Sequence, residues 1–148
     1  MRNLLYFFSL LIFIPSSFSQ DKDTVTLYFE LDQSTLNKKN KNVMDSLLRL
    51  ENINSVEIVA YTDFLGSKEY NQCLSIKRAQ SVSQYLSLRG FPKYKIKFIS
   101  GLGIYPKSQP SQRNDSNDAG IALHRRAEIR YSLNPNILDS TQKKDSIT

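Results

Sequence analysis

Apolar and polar residues alternate in four segments of the chain, and each segment predicts a β-strand with one buried face. The apolar positions of the first segment are Val25, Leu27, Phe29 and Leu31. Those of the other three segments are Val56, Ile58 and Ala60, then Ile96 and Phe98, then Ala127, Ile129, Tyr131 and Leu133. We expect the four strands to cover one shared core.

Two helices are predicted between these strands. The first begins at Ser34, whose hydroxyl can cap a helix, and ends at residues 52–54. The second begins at a cap on Ser67, reaches about Leu88 and stops at Gly90, because glycine readily ends helices. The apolar stripe of the first helix is Leu36, Val43, Leu47 and Leu50.

A polar connection of residues 104–123 separates the last two strands and is long for a structureless loop. We predict a short helix within it, from Asp118 to Leu123. Residues 134–148 hold few apolar side chains and are predicted to form a flexible tail. The element order, β-α-β-α-β-(α)-β, predicts an α/β (α+β) two-layer sandwich with one mixed four-stranded sheet covered by helices on one face.

The first nineteen residues have the pattern of a signal peptide. Arg2 precedes an apolar run from Leu4 to Pro15, and Ser17 and Ser19 are small residues at the positions that a signal peptidase reads. The run is shorter than the roughly 20 residues that span a bilayer, and an uncleaved anchor is the alternative. We expect export, a mature chain that starts at Gln20 and, since no cysteine follows the run, no lipid anchor.

The remaining 129 residues are enough for one domain with a buried core. The net charge, +6 for the full sequence and +5 without Arg2, favours contact with the anionic polymers of the envelope, while no basic-aromatic motif favours nucleic acid. With Cys73 and His124 the only residues of their types, a metal site is hard to assemble and an internal disulfide cannot form. The lone cysteine is expected in the core, and no cofactor is expected.

One face of the second predicted helix is unusually polar. Its residues are spaced at i, i+3, i+4 and i+7, so we expect this face to meet water or to line a pocket. Thr62 and Asp63 precede the helix at the carboxyl end of the second strand, where sheet proteins tend to bind ligands. The residues of the polar face are Asn71, Leu74, Ser75 and Arg78.

Asp63 and Arg78 have the chemistry to bind a ligand that carries both charges. A guanidinium can donate two parallel hydrogen bonds to a carboxylate, and the carboxylate of Asp63 can accept hydrogen bonds from an ammonium. The alternative is a salt bridge between the two side chains, which would contribute about 0–1 kcal/mol if it were exposed.

These residues belong to a longer pattern. Thr62-Asp63, Gly66, Tyr70-Asn71, Leu74-Ser75 and Arg78-Ala79 are followed near the end by His124-Arg125-Arg126-Ala127. The pattern resembles the OmpA-like C-terminal (peptidoglycan-binding) domain family, as in outer-membrane protein A, the peptidoglycan-associated lipoprotein and flagellar stator subunits. The resemblance covers 107 residues, from Leu27 to Leu133.

The resemblance implies roles for individual residues. Asp63 would hold the ammonium, and Arg78 the carboxylate, of diaminopimelate in the stem peptide of peptidoglycan. Arg125 would border this site, and acids near Glu30 and Asp32 would shape the pocket. An alternative for Asp32 is a structural acceptor near the first helix. The segment Gly101-Leu102-Gly103, with Pro106, fits a glycine-containing turn of the family.

Three positions depart from the family pattern. Ala60 and Ile121 stand where the family usually has glycine and arginine, and His124 stands where asparagine is usual. The histidine could give the site a pH-sensitive edge or could be a satisfied surface residue.

We therefore predict a non-catalytic domain that binds peptidoglycan through diaminopimelate, with Thr62, Asn71 and Leu74 beside the charged pair. It is expected in the periplasm, associated with the outer membrane, with an envelope protein partner, no nucleic acid and no membrane span. One alternative is an envelope protein-protein interaction module that has lost wall binding and uses residues 106–124. Another is a wall hydrolase with Glu30, Asp32 or Asp63 as its acid or base.

Overall fold

A computed structural model of the chain describes residues 22–109 and 119–134. The predicted signal peptide and all but the first residue of the predicted tail lie outside these described residues. The strands are β1 (Asp23–Tyr28), β2 (Ile53–Thr62), β3 (Ile96–Ile104) and β4 (Arg126–Leu133), and the helices are α1 (Lys38–Leu48) and α2 (Lys68–Leu88). Single 3-10 turns occur at Lys93–Lys95 and Ala122–His124.

The four strands form one mixed sheet in the order β1-β4-β2-β3. β2 and β3 are parallel, whereas β4 lies antiparallel to both β1 and β2. α1 and α2 pack on one face of this sheet, and their apolar side chains share a core with those of the strands. The predicted fold class is therefore confirmed.

The core contains the apolar positions that the strand pattern singled out on β2 and β4. Val56, Ile58 and Ile129 are fully buried there, and Met44 and Val82 pack on them from the helices. Side chains at the alternate positions of β4 lie on the opposite face of the sheet, where Glu128 bridges Arg126 and Arg130. One face of the sheet thus builds the core, and the other carries charges.

The helix ends are partly as predicted. The Ser67 hydroxyl caps α2 by accepting a hydrogen bond from the Tyr70 N–H at 3.1 Å, and Gly90 follows its end with φ of 81°. α1 is capped by Asn37, whose side chain accepts from the Asn40 N–H at 2.9 Å, so the predicted cap at Ser34 is wrong. Since α1 ends at Leu48, Leu50 lies beyond it and is exposed.

Two predicted strand positions are also wrong. Leu31 is 51% exposed because β1 ends at Tyr28 and the chain then turns, with the Gln33 N–H bonded to the Glu30 carbonyl. Phe98 is 50% exposed. A register shift in the pairing of β2 with β3 places Phe98 beside Glu57 on the charged face. Ile99, which pairs with Ile58, is itself 45% exposed.

The predicted glycine turn is part of strand β3. Gly101 and Gly103 lie within β3, and a Cβ at Gly101 would come within 2.1 Å of the Ile76 amide nitrogen on α2. Glycine is therefore required at 101 for the close approach of strand and helix. Cys73, predicted in the core, is exposed on α2.

The predicted helix between β3 and β4 is reduced to one turn. Asp118 lies outside the described residues, Ala119 to Ile121 are not helical, and only Ala122–His124 form a 3-10 turn. Within the described ranges, no helix is long and apolar enough to cross a bilayer.

Candidate functional site

A cavity of about 270 Å³ opens at the carboxyl end of β2 and beside the first turns of α2. It receives side chains from the β1–α1 loop, the β2–α2 turn, α2 and the segment before β4. Its lining residues are Leu31, Asp32, Asp63, Leu65, Gly66, Tyr70, Asn71, Leu74, Arg78 and Arg125. Six of the seven predicted site residues line it.

Thr62 is the exception. Its side chain is buried, and its hydroxyl has no hydrogen-bond partner among the described residues. Its carbonyl accepts a hydrogen bond from the Tyr105 N–H at 2.9 Å. Thr62 therefore lies beneath the site and does not contribute a side chain to the cavity.

Asp63 is held by one of its two carboxylate oxygens. Oδ2 accepts hydrogen bonds from Arg125 Nη1 at 2.8 Å and from the Ile121 N–H at 3.2 Å, and both members of the ion pair are buried. Oδ1 accepts no hydrogen bond from the described part of the chain. Within the described structure the partner of Asp63 is therefore Arg125, not Arg78, and Oδ1 has no donor.

Arg78 is the largest fully buried side chain of the described residues, with an exposed fraction of 0%. Its guanidinium donates to three backbone carbonyls: Nε to Gln33 at 2.8 Å, Nη1 to Tyr61 at 2.9 Å and Nη2 to Glu30 at 3.2 Å. The group also lies over the Phe29 ring, 5.0 Å from its centroid. Arg78 thus ties the β1–α1 loop to the end of β2, a structural role that the sequence pattern did not indicate.

Two N–H groups of Arg78 remain without a protein acceptor, because Nη1 and Nη2 each use one of two hydrogens within the described structure. Burial lowers the pKa of Arg78 to about 10, an effect that the charge of Asp63 opposes and that of Arg125 reinforces. The guanidinium is still protonated at neutral pH and can bind an anion in the cavity.

The polar face of α2 is buried, not exposed to water. Asn71 donates through Nδ2 to the Leu65 carbonyl at 2.8 Å and so fixes the turn that follows Asp63. Ser75 faces β3, where its hydroxyl accepts from the Gly103 N–H at 2.8 Å. Polar residues at this spacing therefore serve both the cavity and the packing of the helix on the sheet.

Gly120 and Ile121 are contacts of the site that the sequence reasoning missed. A Cβ at Gly120 would come within 2.2 Å of Asp63 Oδ2, and its φ of 69° also favours glycine. Arg125 binds the same segment, donating to the Ala119 carbonyl at 3.3 Å. The sequence marked this segment only through a glycine five positions before Arg125 and through the departure of Ile121 from the family pattern.

Asp32 and His124 lie at the edges of the site. Asp32 adopts a positive φ of 58° and lines the cavity, and it does not cap α1 because Asn37 does. His124 packs against Tyr105 with the ring centroids 4.7 Å apart and the ring planes tilted by 37°, and its Nδ1 is enclosed without a partner among the described residues. Burial and the charge of Arg126 lower the pKa of His124, against the effect of Asp63.

The cavity therefore combines a carboxylate oxygen that can accept hydrogen bonds with guanidinium N–H groups that can donate them. Such a pair is complementary to a ligand that carries an ammonium and a carboxylate close together. Among the described residues, no group of three or more His, Cys, Asp or Glu side chains could hold a metal ion.

Comparison with protein families and sequences gives consistent results. The profile of the OmpA family matches residues 28–120. Outer membrane protein A of Klebsiella aerogenes is 41% identical over 73 residues, which are 46% of this chain and 21% of that protein. Outer membrane protein A of Salmonella typhi is 42% identical over the same length, with the same coverage. The matched stretch thus spans about a fifth of the length of these relatives.

Solved structures with the same fold include two at 26% identity. The peptidoglycan-associated lipoprotein of Burkholderia pseudomallei has a TM-score of 0.56 and covers 72% of this chain and 89% of its own. The OmpA-like domain of FopA1 from Francisella tularensis has a TM-score of 0.58, with 74% and 72% covered. The periplasmic domain of Helicobacter pylori MotB, at 18% identity and a TM-score of 0.54, covers 85% of each chain and shares the fold.

Proposed function

The chain belongs to the OmpA family, and from this premise we propose that it binds peptidoglycan without catalysis, through the diaminopimelate of the stem peptide. Domains of this family generally bind peptidoglycan in envelope anchoring, and the relatives are structural or binding proteins, not enzymes. The lipoprotein from Burkholderia pseudomallei is likewise named as peptidoglycan-associated.

The observation that carries the proposal is the pairing of opposite charges around one cavity. Asp63 presents Oδ1, which accepts from no described residue, and Arg78 presents two N–H groups that no described protein atom accepts. The free end of diaminopimelate carries an ammonium and a carboxylate on one carbon. In the proposed complex the ammonium donates to Asp63 and the carboxylate accepts from Arg78.

We call the pair of Asp63 and Arg78 the clasp. The surrounding contacts hold both side chains in place before a ligand arrives. Arg125 and the Ile121 N–H fix Oδ2 of Asp63, while the carbonyls of Glu30, Gln33 and Tyr61 fix Arg78. Because both charged groups are already ordered, binding costs little side-chain entropy. Asn71 and Leu74 form the adjoining wall on α2, and Asp32 the opposite one.

The site of action would be the periplasm, on the inner side of the outer membrane, after removal of the predicted signal peptide. Binding to the wall would contribute to envelope anchoring through an envelope protein partner. We propose in addition that the wall of the host contains diaminopimelate and that the mature chain starts at Gln20.

Co-sedimentation with purified peptidoglycan sacculi tests the proposal. Asp63→Ala and Arg78→Ala should each weaken binding by about 10 to 100 fold, since charge-assisted hydrogen bonds contribute roughly 1.5–3 kcal/mol. Lys77→Ala, next to Arg78 on the exposed side of α2, is the matched control and should bind as the parent does. Retention of parental binding by folded Asp63→Ala and Arg78→Ala would refute the clasp.

A further inference from the structure

A second cavity, of about 280 Å³, lies beside the first and is not part of the clasp. It opens between β1, the start of α1 and the Ala122–His124 turn. Its lining is largely apolar: Phe29 and Val43 lie inside, and Tyr28, Ala122 and Leu123 contribute further surface. Arg125 lines both cavities, so they are neighbours that share this side chain.

Arg125 has donors left for a ligand on this side. Its Nε and Nη1 are used, by the Phe29 carbonyl at 3.3 Å, by Asp63 and by the Ala119 carbonyl, but Nη2 has no acceptor among the described residues. The residue is only 8% exposed, so these N–H groups are largely removed from bulk water. A guanidinium nitrogen that donates to no described residue can donate to a carbonyl or carboxylate oxygen from outside the chain.

The rim of the second cavity exposes large apolar surface. Tyr28 is 45% exposed and Leu123 is 64% exposed. Glu30 and Lys39 contribute one charge of each sign to the lining, so the cavity does not select strongly for an ion. An amide with a small apolar side chain, which offers an oxygen to Arg125 and a methyl group to Tyr28 and Leu123, fits this combination.

We infer that the second cavity is a subsite for the stem-peptide residue linked to diaminopimelate. The inference rests on the proposed function, because the clasp would place the head group of diaminopimelate on one side of Arg125. The peptide bonds and methyl groups of its neighbours then extend along the other side. The two cavities together would bind a peptide segment, whereas the clasp alone would bind a single amino acid.

Calorimetric titration with two probes tests this inference: free meso-diaminopimelate and the tetrapeptide L-Ala-γ-D-Glu-meso-diaminopimelate-D-Ala. Tyr28→Ala and Leu123→Ser should weaken tetrapeptide binding by about tenfold, by loss of apolar contact, and leave the affinity for free diaminopimelate unchanged. The unchanged affinity also shows that the variants are folded. Tyr94→Ala and Leu88→Ser remove exposed side chains of the same types elsewhere and serve as controls.

The outcomes separate the subsite from the clasp. Parental tetrapeptide affinity in Tyr28→Ala and Leu123→Ser would overturn the subsite and leave the clasp intact. Tetrapeptide binding that depends on Tyr28 and Leu123, without measurable binding of free diaminopimelate, would support the subsite and count against the clasp. Absence of binding by both probes to the parent protein would overturn both.

Discussion

Two arginines contact the same cavity, and the chain uses them differently. Arg125 neutralises Asp63 within a buried ion pair, whereas Arg78 is held by uncharged carbonyls, and two of its N–H groups donate to no described residue. The sequence motif marked both residues but could not distinguish these roles. The distinction depends on where the β1–α1 loop and residues 119–121 place their backbone oxygens, which no residue pattern specifies.

Stability measurements on Asp63 and Arg125 test the buried pair. Asp63→Asn alone and Arg125→Met alone should each lower the free energy of unfolding by about 3–5 kcal/mol, because each leaves its partner without a counter-charge. The double variant should lose much less than the sum of the two. Urea denaturation measures all three differences.

The more exposed pair between Lys22 and Glu57, with an N–O distance of 2.7 Å, is the control for this cycle. Its coupling should be about 0–1 kcal/mol. Additive effects of the Asp63 and Arg125 substitutions would contradict the assignment of a buried ion pair.

His124 predicts a pH dependence of stability. Burial, and then the charge of Arg126, lower the pKa of His124 in the folded chain, so the unfolded chain binds its proton at higher pH. Stability should therefore fall as pH falls from about 7 through the unfolded value of about 6.5. His124→Asn should remove the loss of stability that comes from protonation of His124. Thermal unfolding between pH 7.5 and 5 measures this difference. Parallel curves for parent and variant would argue against it.

Among the helices and strands, the features that the sequence predicted correctly are those that depend on neighbouring residues. The cap at Ser67 and the end of α2 at Gly90 follow from residues that act within one turn, and both are confirmed. The exposed position of Phe98 depends on a register shift between β2 and β3, which is a pairwise property of two strands. Alternation along a single segment cannot reveal such a shift.

The packing of β3 on α2 gives a prediction about glycine. Gly101→Ala should lower the free energy of unfolding by about 3 kcal/mol, since the added Cβ meets the backbone of Ser75 and Ile76, which cannot yield as a side chain can. Gly90→Ala is the control, because its added Cβ meets nothing within 4 Å and only the positive φ opposes it. That variant should lose about 1 kcal/mol. Equal losses of the free energy of unfolding in the two variants, measured by urea denaturation, would show that the close approach of β3 to α2 does not require glycine at 101.

For the whole molecule, the element order was sufficient to predict the mixed sheet with helices on one face. Order and alternation also located the cavity, because they placed the end of β2 next to the start of α2. Thr62, the last residue of β2, does not line this cavity, and a role for it in binding stays a prediction. Gly120 and Ile121 were missed because their contact with Asp63 spans more than 50 residues of sequence.

If one cavity binds an ammonium and a carboxylate together, a ligand that lacks the carboxylate should bind more weakly. The parent protein should be titrated with the stem tripeptide that ends in meso-diaminopimelate and with the same peptide ending in lysine, whose side chain keeps the ammonium but lacks the second carboxylate. The diaminopimelate peptide should bind about 10 to 100 fold more tightly, because only it can use Arg78. Equal affinities for the two peptides would show that the cavity does not bind the second carboxylate.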